Sequence, residues 1–233
     1  VAISCATRGL RVVLLERDLD VIRRGIEEGR RTFANTMKYI RTTTSANLGN
    51  MVSMAIISLF LPFLPLLAGQ ILLNNFVSDV PAVGLADDNV DREQVSRPGQ
   101  WNIRSLGVFM VIFGLISSGF DFLTFGVLLR VYSAGPELFR TAWFVESLLT
   151  ELVVALVVRT YRPFFRSRPG AVLLWSTLAL IPITLAVPYL PWTALLGFVP
   201  LPHTLLVSLC AITAGYAVAV EIAKRPFFRH LSS

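Results

Sequence analysis

The sequence predicts an all-α membrane protein in which six transmembrane helices follow a cytoplasmic stalk helix and a short strand. Three observations support this prediction. Of the 233 residues, 54% are hydrophobic and 15% are charged, with a mean hydropathy of +0.65, whereas soluble domains carry about 25% charged residues. Six apolar stretches are long enough to cross a bilayer, and almost all basic residues lie in the segments on one side of this arrangement. This composition excludes a disordered chain and a disulfide scaffold, and it argues against a soluble enzyme.

The first 46 residues precede the apolar stretches. Residues 11–16 (RVVLLE) predict a short strand, because aliphatic residues dominate the run. From about residue 18 to 41 the chain predicts an amphipathic helix, since apolar residues at positions 22, 26, 33, 37 and 40 share one face. No Pro or Gly interrupts the chain from Arg30 to Leu48, so we expect this helix to continue into the first span as a stalk. A helix lying on the membrane surface is the alternative.

Spans are predicted at about 47–67, 69–86, 105–130, 141–158, 171–190 and 202–222. Nineteen of the 21 basic residues lie on one side of this arrangement, and only Arg130 and Arg140 lie on the other. Cytoplasmic loops of membrane proteins are enriched in Lys and Arg, so both termini are predicted to be cytoplasmic. The net charge of +6 is thus explained by the orientation of the chain in the membrane, with its basic segments on the cytoplasmic side. Basic residues alternate with acids in the N-terminal segment, which argues against a nucleic-acid partner.

The strongest functional candidate within the spans is Asp79, because ionisable groups inside a membrane are costly and mark functional sites. Asp79 shares a helix face with Asn75 and Ser78. Pro81 and Gly84 follow, and we expect them to break the second helix and free backbone carbonyls beside the acid. Oxygen ligands of this kind suit hard cations such as Mg²⁺ or Ca²⁺. A structural hydrogen-bonded cluster between helices is the alternative.

The first span supplies amide side chains of matching chemistry. Asn47 and Asn50 share a helix face, and Gly49 between them permits close approach of another helix. Two prolines then end the span. We expect a tight turn to bring the second span alongside as a hairpin, so that the two amides face Asn75 and Asp79.

Four further acids lie in or near the spans: Asp121, Glu146, Glu151 and Glu221. Asp121 is interpreted either as a secondary polar site or as a cross-link between helices, and Glu221 as part of an interfacial ion pair with nearby basic residues. Glu146 and Glu151 are roughly 140° apart around a helix, so they cannot both face one small site. We expect Glu146 to face the site, as a second secondary polar residue.

Several motifs occur at residues 13–19 (VLLERDL), 29–40 (GRRTFANTMKYI), 45–50 (SANLGN), 60–65 (FLPFLP), 88–91 (DNVD), 120–125 (FDFLTF), 143–145 (WFV) and 159–160 (RT). Together they resemble the C-terminal half of P-type cation-transporting ATPases, and most of all the bacterial magnesium-transporting subfamily. The resemblance covers nearly the whole chain. It implies that Asn50, Asn75 and Asp79 are metal ligands, with Ser78 beside them, and that Mg²⁺ is the transported ion. It also implies a bacterial plasma membrane as the location.

The resemblance further divides the chain into parts. Residues 1–17 would be the edge of a phosphorylation domain, 18–46 the stalk helix, 47–222 the last six of ten transmembrane helices, and 223–233 a cytoplasmic tail. The family's phosphorylation and dephosphorylation motifs and its nucleotide pocket do not occur in these 233 residues. We therefore expect that this chain alone does not hydrolyse ATP. Its expected partners are the lipid bilayer and an N-terminal half with actuator, nucleotide-binding and phosphorylation domains and the first four helices.

A stand-alone protein with six membrane helices is the alternative to a pump fragment. Such a protein would be a channel, a regulator or a non-functional gene remnant, and it would have no ATPase activity.

Overall fold

A computed structural model describes residues 2–3, 12–13, 19–96 and 98–232. Near the N-terminus, strand β1 (Ala2–Ile3) pairs antiparallel with strand β2 (Val12–Val13). The other residues of the strand predicted at 11–16 lie outside the described residues.

Helices dominate the rest of the described chain. Its α-helices are α1 (Leu19–Ile57), α2 (Ala68–Gly84), α3 (Arg92–Val95), α4 (Ile103–Arg130), α5 (Pro136–Val158), α6 (Ala171–Ala186) and α7 (His203–Ser232). Short 3₁₀ turns occupy Leu85–Asp87, Phe164–Arg166, Val187–Tyr189 and Pro191–Leu196.

Four helical segments in the described part of the chain are long and apolar enough to cross a membrane: Ile103–Arg130, Pro136–Val158, Ala171–Tyr189 and His203–Phe228. They coincide with the last four predicted spans, which establishes a multi-pass helical membrane protein. The first two predicted spans fall on α1 and α2. Neither helix combines the length and the hydropathy of the other four segments. The reason is that α1 is rich in polar residues along its length, and α2 has 17 residues that include two Asn, one Ser and one Asp.

Helix α1 is one continuous helix of 39 residues, about 58 Å long at 1.5 Å per residue. It carries the predicted stalk into the predicted first span without a break, as the lack of Pro and Gly from Arg30 to Leu48 indicates. It ends at Ile57, however, and not at the predicted residue 67. Pro62 and Pro65 explain the early end, because proline disfavours helical conformation in the residue before it. A ten-residue connection, 58–67, replaces the predicted tight turn.

The predicted hairpin of α1 and α2 is wrong. Helix α1 packs mainly on α4, whereas α2 packs on α5 and α6. A Cβ atom added at Gly49 would lie 2.8 Å from the Cβ of Ser117, and Ser118 donates a 3.0 Å hydrogen bond to the Gly49 carbonyl. The close helix approach predicted at Gly49 is therefore confirmed, with α4 as the neighbour.

The predicted break in the second span is also wrong, because Pro81 lies inside α2 and the helix continues to Gly84. Proline has no N–H to donate to the carbonyl of Val77, four residues earlier, so the helix continues past a missing hydrogen bond. Helix α6 supports this end of α2. A Cβ atom at Gly84 would lie 2.7 Å from the backbone nitrogen of Leu173, and only a glycine permits so close a contact.

Helix α5 occupies the centre of the bundle and contacts α1, α2, α4, α6 and α7. Most of its side chains are buried, including the large ones of Phe139, Trp143, Phe144 and Leu148. Lipid is as apolar as these side chains, so helix association in a membrane depends on close packing and hydrogen bonds. The central position of α5 places its polar residues between neighbouring helices.

Candidate functional site

A cavity of about 230 Å³ is lined by residues of α1, α2 and α5. Four of the predicted site residues line it, namely Asn47 of α1 and Asn75, Ser78 and Asp79 of α2. The fold thus brings these four together, although α1 and α2 face each other across the cavity and not in a packed hairpin. Glu151 of α5 lines the same cavity.

Glu151 links α1 and α2 through hydrogen bonds to its Oε1 atom. Nδ2 of Asn50 donates to it at 2.6 Å, and Nδ2 of Asn74 donates at 3.2 Å. Ser147 donates to Oδ1 of Asn50 at 3.3 Å. The remaining predicted site residue, Asn50, is therefore held beside the cavity by two side chains of α5.

The structure differs from the expectation that Glu146 faces this site, because Glu151 lines the cavity and Glu146 contacts a different cluster. The two acids do face different neighbours, as their angular separation predicts. Most of their helix is surrounded by neighbours, so Glu146 is buried and Glu151 is half-buried at the edge of the cavity. Sequence reasoning missed Glu151 and Asn74. The spacing of Ser147 and Glu151, four residues apart on the same face of α5, was the available signal.

The acid on α2 has no partner in the described part of the chain: no hydrogen bond or ion pair reaches Asp79. Its side chain is exposed, as is that of Asn75, whereas Asn74 is buried. Ser78 donates a 3.1 Å hydrogen bond to the carbonyl of Asn75. The Oδ1 atom of Asn74 is buried and receives no hydrogen bond from the described residues. The α2 side of the cavity therefore has one carboxylate, that of Asp79, available to a ligand, whereas Asn74 does not line the cavity.

The ligand chemistry of this cavity consists of oxygen atoms. Two carboxylates, Asp79 and Glu151, accompany the neutral oxygens of asparagine and serine side chains. Such a set favours hard divalent cations over soft metals. The described residues contain no group of three or more His, Cys, Asp or Glu side chains suited to a metal. Neutral oxygens would therefore have to supply most of the ligands.

A second polar cluster lies among α1, α4 and α5. Ser53 donates a 2.5 Å hydrogen bond to Oδ2 of Asp121, and the indole nitrogen of Trp143 donates a 3.1 Å bond to Oδ1. The structure supports the interpretation of Asp121 as a cross-link between helices. Glu146 is fully buried beside this carboxyl group.

A third cluster, outside the predicted spans, is centred on the fully buried Asp88. Lys38 of α1 donates to its Oδ2 atom at 2.7 Å, Arg159 contacts both oxygens at 3.3 Å, and the backbone N–H of Gly170 donates to Oδ1 at 2.7 Å. Burial lowers the pKa of Lys38 below its usual value, although the charge of Asp88 acts in the opposite direction. This network attaches the stalk to the segments that follow α2 and α5.

Further contacts extend that network at the surface. Asp91 accepts hydrogen bonds from Thr160 at 2.5 Å and from Ser167 at 2.9 Å. Arg162 forms an exposed ion pair with Glu93 and lowers the pKa of that carboxyl group by donating a hydrogen bond.

The ion pair expected at Glu221, at the end of the last predicted span, is present in the structure. The Nζ atom of Lys224 lies 2.8 Å from Oε2 of Glu221, and Arg225 lies 3.7 Å from the other oxygen. This acid therefore has a local structural explanation.

Residues 63–225 match the protein family described as "Cation transporting ATPase, C-terminus". The chain is 41% identical over 228 residues to "Magnesium-transporting ATPase, P-type 1" of Salmonella typhimurium (strain LT2), which covers 96% of this chain and 25% of the relative. The protein of that name from Escherichia coli (strain K12) shows the same identity and coverage. A "Calcium-transporting ATPase" of Bacillus subtilis (strain 168) is 26% identical over 226 residues, covering 93% of this chain and 24% of the relative. The chain spans about a quarter of the length of these relatives.

Proposed function

We infer the function of this chain from one premise: it belongs to the cation transporting ATPase family and forms the C-terminal transmembrane region of a P-type ATPase. We propose that this region is the ion pathway of a pump that moves Mg²⁺ across the membrane. The magnesium-transporting names of the relatives at 41% identity support this choice of ion.

The cavity between α1, α2 and α5 is the proposed cation site, and the observation that carries the proposal is its pair of carboxylates. Asp79 and Glu151 offer two negative charges to a divalent cation, and Asn47, Asn75 and Ser78 line the same cavity. Mg²⁺ keeps several water molecules in most protein sites. A volume of about 230 Å³ leaves room for them, since one water occupies about 30 Å³ of liquid.

We further propose that α1 and α2 complete a six-span arrangement with both termini in the cytoplasm of a bacterium. The excess of basic residues on one side supports this orientation. A multi-pass location in the plasma membrane follows from it. Polar side chains within a span face the bundle interior or a cavity, which accounts for the polar composition of α2.

ATP would act through the N-terminal part of the parent pump, which is the proposed partner of this chain. Phosphorylation there would be transmitted along α1, because that helix runs without interruption from the stalk to Asn47 and Asn50. Movement of the stalk would change the distance between these amides and the carboxylates of α2 and α5. Access to the cation site would then alternate between the two sides of the membrane.

The decisive experiment replaces Asp79 by Asn in the full-length pump that contains this chain. We expect Asp79→Asn to abolish Mg²⁺ uptake while membrane insertion and expression remain normal, because the substitution removes one charge and keeps the shape. Asp87→Asn is the matched control, since Asp87 is exposed and lies outside the cavity. Normal uptake in Asp79→Asn would refute the proposed site.

A further inference from the structure

The carboxyl groups of Asp121 and Glu146 are adjacent to each other and almost completely shielded from solvent. Asp121 is 2% exposed and Glu146 is 0% exposed, and the two side chains are within hydrogen-bonding reach of each other. Neither lines the cavity proposed for the cation. The proposed ion pathway therefore leaves this pair without a role.

The hydrogen bonds identify Asp121 as the ionised member of the pair. An indole N–H can only donate, so Oδ1 of Asp121 accepts from Trp143. The hydroxyl of Ser53 lies 2.5 Å from the other oxygen, which is the separation typical of a hydroxyl that donates to a charged carboxylate. Both oxygens of Asp121 are thus acceptors.

The surroundings of Glu146 are different. Both of its carboxyl oxygens are buried, and no donor in the described part of the chain reaches either of them. The titratable groups that interact electrostatically with the pair are Glu151 on the same helix and Tyr216 on α7. No lysine, arginine or histidine of the described residues forms an ion pair with Asp121 or Glu146. Two adjacent buried carboxylates without a cation would repel each other strongly.

We propose that Asp121 and Glu146 form a proton-binding site that holds one proton, carried by Glu146 and donated to the carboxylate of Asp121. Release breaks the O–H bond of Glu146 and transfers the proton to water, which leaves two carboxylates. Rebinding reverses this step and restores the hydrogen bond. The site is separate from the proposed cation site, and the inference does not depend on the proposed function.

The proton would influence the neighbouring residues of the cavity. Ser53 lies about one helical turn from Asn50 on α1, and Ser147, next to Glu146, donates to Asn50. Release of the proton adds a negative charge close to this amide. The charge state of the pair thus changes the electrostatic potential at Asn50.

Infrared difference spectroscopy on the 233-residue chain in lipid nanodiscs tests the proposal. At neutral pH we expect the carbonyl stretching band of a protonated carboxyl group, and we expect Glu146→Gln to remove one such group from the spectrum. Glu221→Gln is the control, because that acid is paired with Lys224 and its loss should leave the band unchanged. Absence of the band in the unmodified chain, or an undiminished band in Glu146→Gln, would overturn the proposal.

A second variant keeps the proposal testable if Glu146→Gln does not fold. Ser53→Ala removes one donor from the ionised Asp121 and leaves both carboxyl groups in place. The doubly charged state then becomes less favourable, so the pH at which half of the band is lost should rise. An unchanged or lowered midpoint in Ser53→Ala would contradict the assignment of the charge to Asp121.

Discussion

Asn50 and Glu151, which are 101 residues apart in the sequence, are joined by a hydrogen bond of 2.6 Å between Nδ2 and Oε1. The bond connects α1 to the central helix. Ser147 donates to the other end of the same amide, so the orientation of Asn50 is fixed at both its nitrogen and its oxygen. A cation that binds Glu151 would compete with this hydrogen bond, which couples ion binding to the position of α1.

We predict that Glu151→Gln lowers Mg²⁺ uptake by the full-length pump at least about tenfold, which corresponds to ~1.4 kcal/mol. The variant keeps the hydrogen-bonding shape and loses one of the two cavity charges. Initial rates of uptake in cells without another magnesium transporter provide the measurement. The control is Glu137→Gln, which changes an exposed acid at the start of the same helix. Equal rates in the two variants would exclude Glu151 from the cation site.

The buried network around Asp88 yields a prediction about stability. Asp88→Ala leaves Lys38 and Arg159 as neighbouring buried cations, and we expect a loss of about 3–5 kcal/mol in the free energy of unfolding. Lys38→Met should cost less, because Asp88 then keeps its bonds from Arg159 and from Gly170 N–H.

Thermal unfolding of the purified chain in detergent tests whether Asp88→Ala loses more stability than Lys38→Met. Glu93→Gln breaks an exposed ion pair with Arg162 and serves as the control, with an expected loss within about 1 kcal/mol. A loss for Lys38→Met as large as that for Asp88→Ala would show that the aspartate is not the centre of the network.

The lowered pKa of Lys38 predicts a pH dependence of stability. Between the lowered value and the usual 10.5, the unfolded chain binds more protons at this position than the folded chain does. Stability therefore rises with pH in this interval. We expect the free energy of unfolding of the unmodified chain, minus that of Lys38→Met, to increase as the pH approaches 10.5. A flat or falling difference would mean that burial does not lower this pKa.

The contact between α1 and α4 predicts that replacing Gly49 and Gly107 by Ala has opposite effects on stability. A Cβ atom at Gly49 would meet the Cβ of Ser117 at 2.8 Å, so Gly49→Ala must separate the helices and should cost about 1–3 kcal/mol. Gly107 on α4 has open space around its Cβ position. Gly107→Ala should therefore be neutral, or stabilise the helix by up to about 1 kcal/mol. Equal unfolding temperatures for the two variants would contradict the close approach.

Sequence patterns predict much of this fold because bilayer thickness dictates the length of apolar helices. The last four spans, the continuous stalk and the role of Gly49 follow from local composition. The path of the chain after Ile57 does not follow from local composition, because it depends on how two prolines divide a ten-residue connection. The hairpin prediction was wrong for a related reason: neighbouring helices in a sequence need not pack together when a loop is long enough to separate them.

The candidate site shows the same limit. Residue chemistry identified Asn47, Asn75, Ser78 and Asp79, which line one cavity. It did not identify the pairing of Asn74 with Glu151. This pairing depends on the rotation of α2 about its axis, which could not be obtained from spacing along α2 alone.

Side-chain hydrogen bonds and an ion pair hold the long helix α1 at several points, and two of these bonds are made to buried aspartates. One bond joins Lys38 to Asp88, and the other joins Ser53 to Asp121. Lys38 and Ser53 are 15 residues apart on α1, or about 22 Å along the helix axis. Together these two bonds oppose both sliding and rotation of α1. Rotation of its cytoplasmic end is therefore not transmitted beyond Lys38 as long as the bond between Lys38 and Asp88 is intact. The order in which these two bonds break would then determine whether Asn50 tilts or rotates when α1 moves.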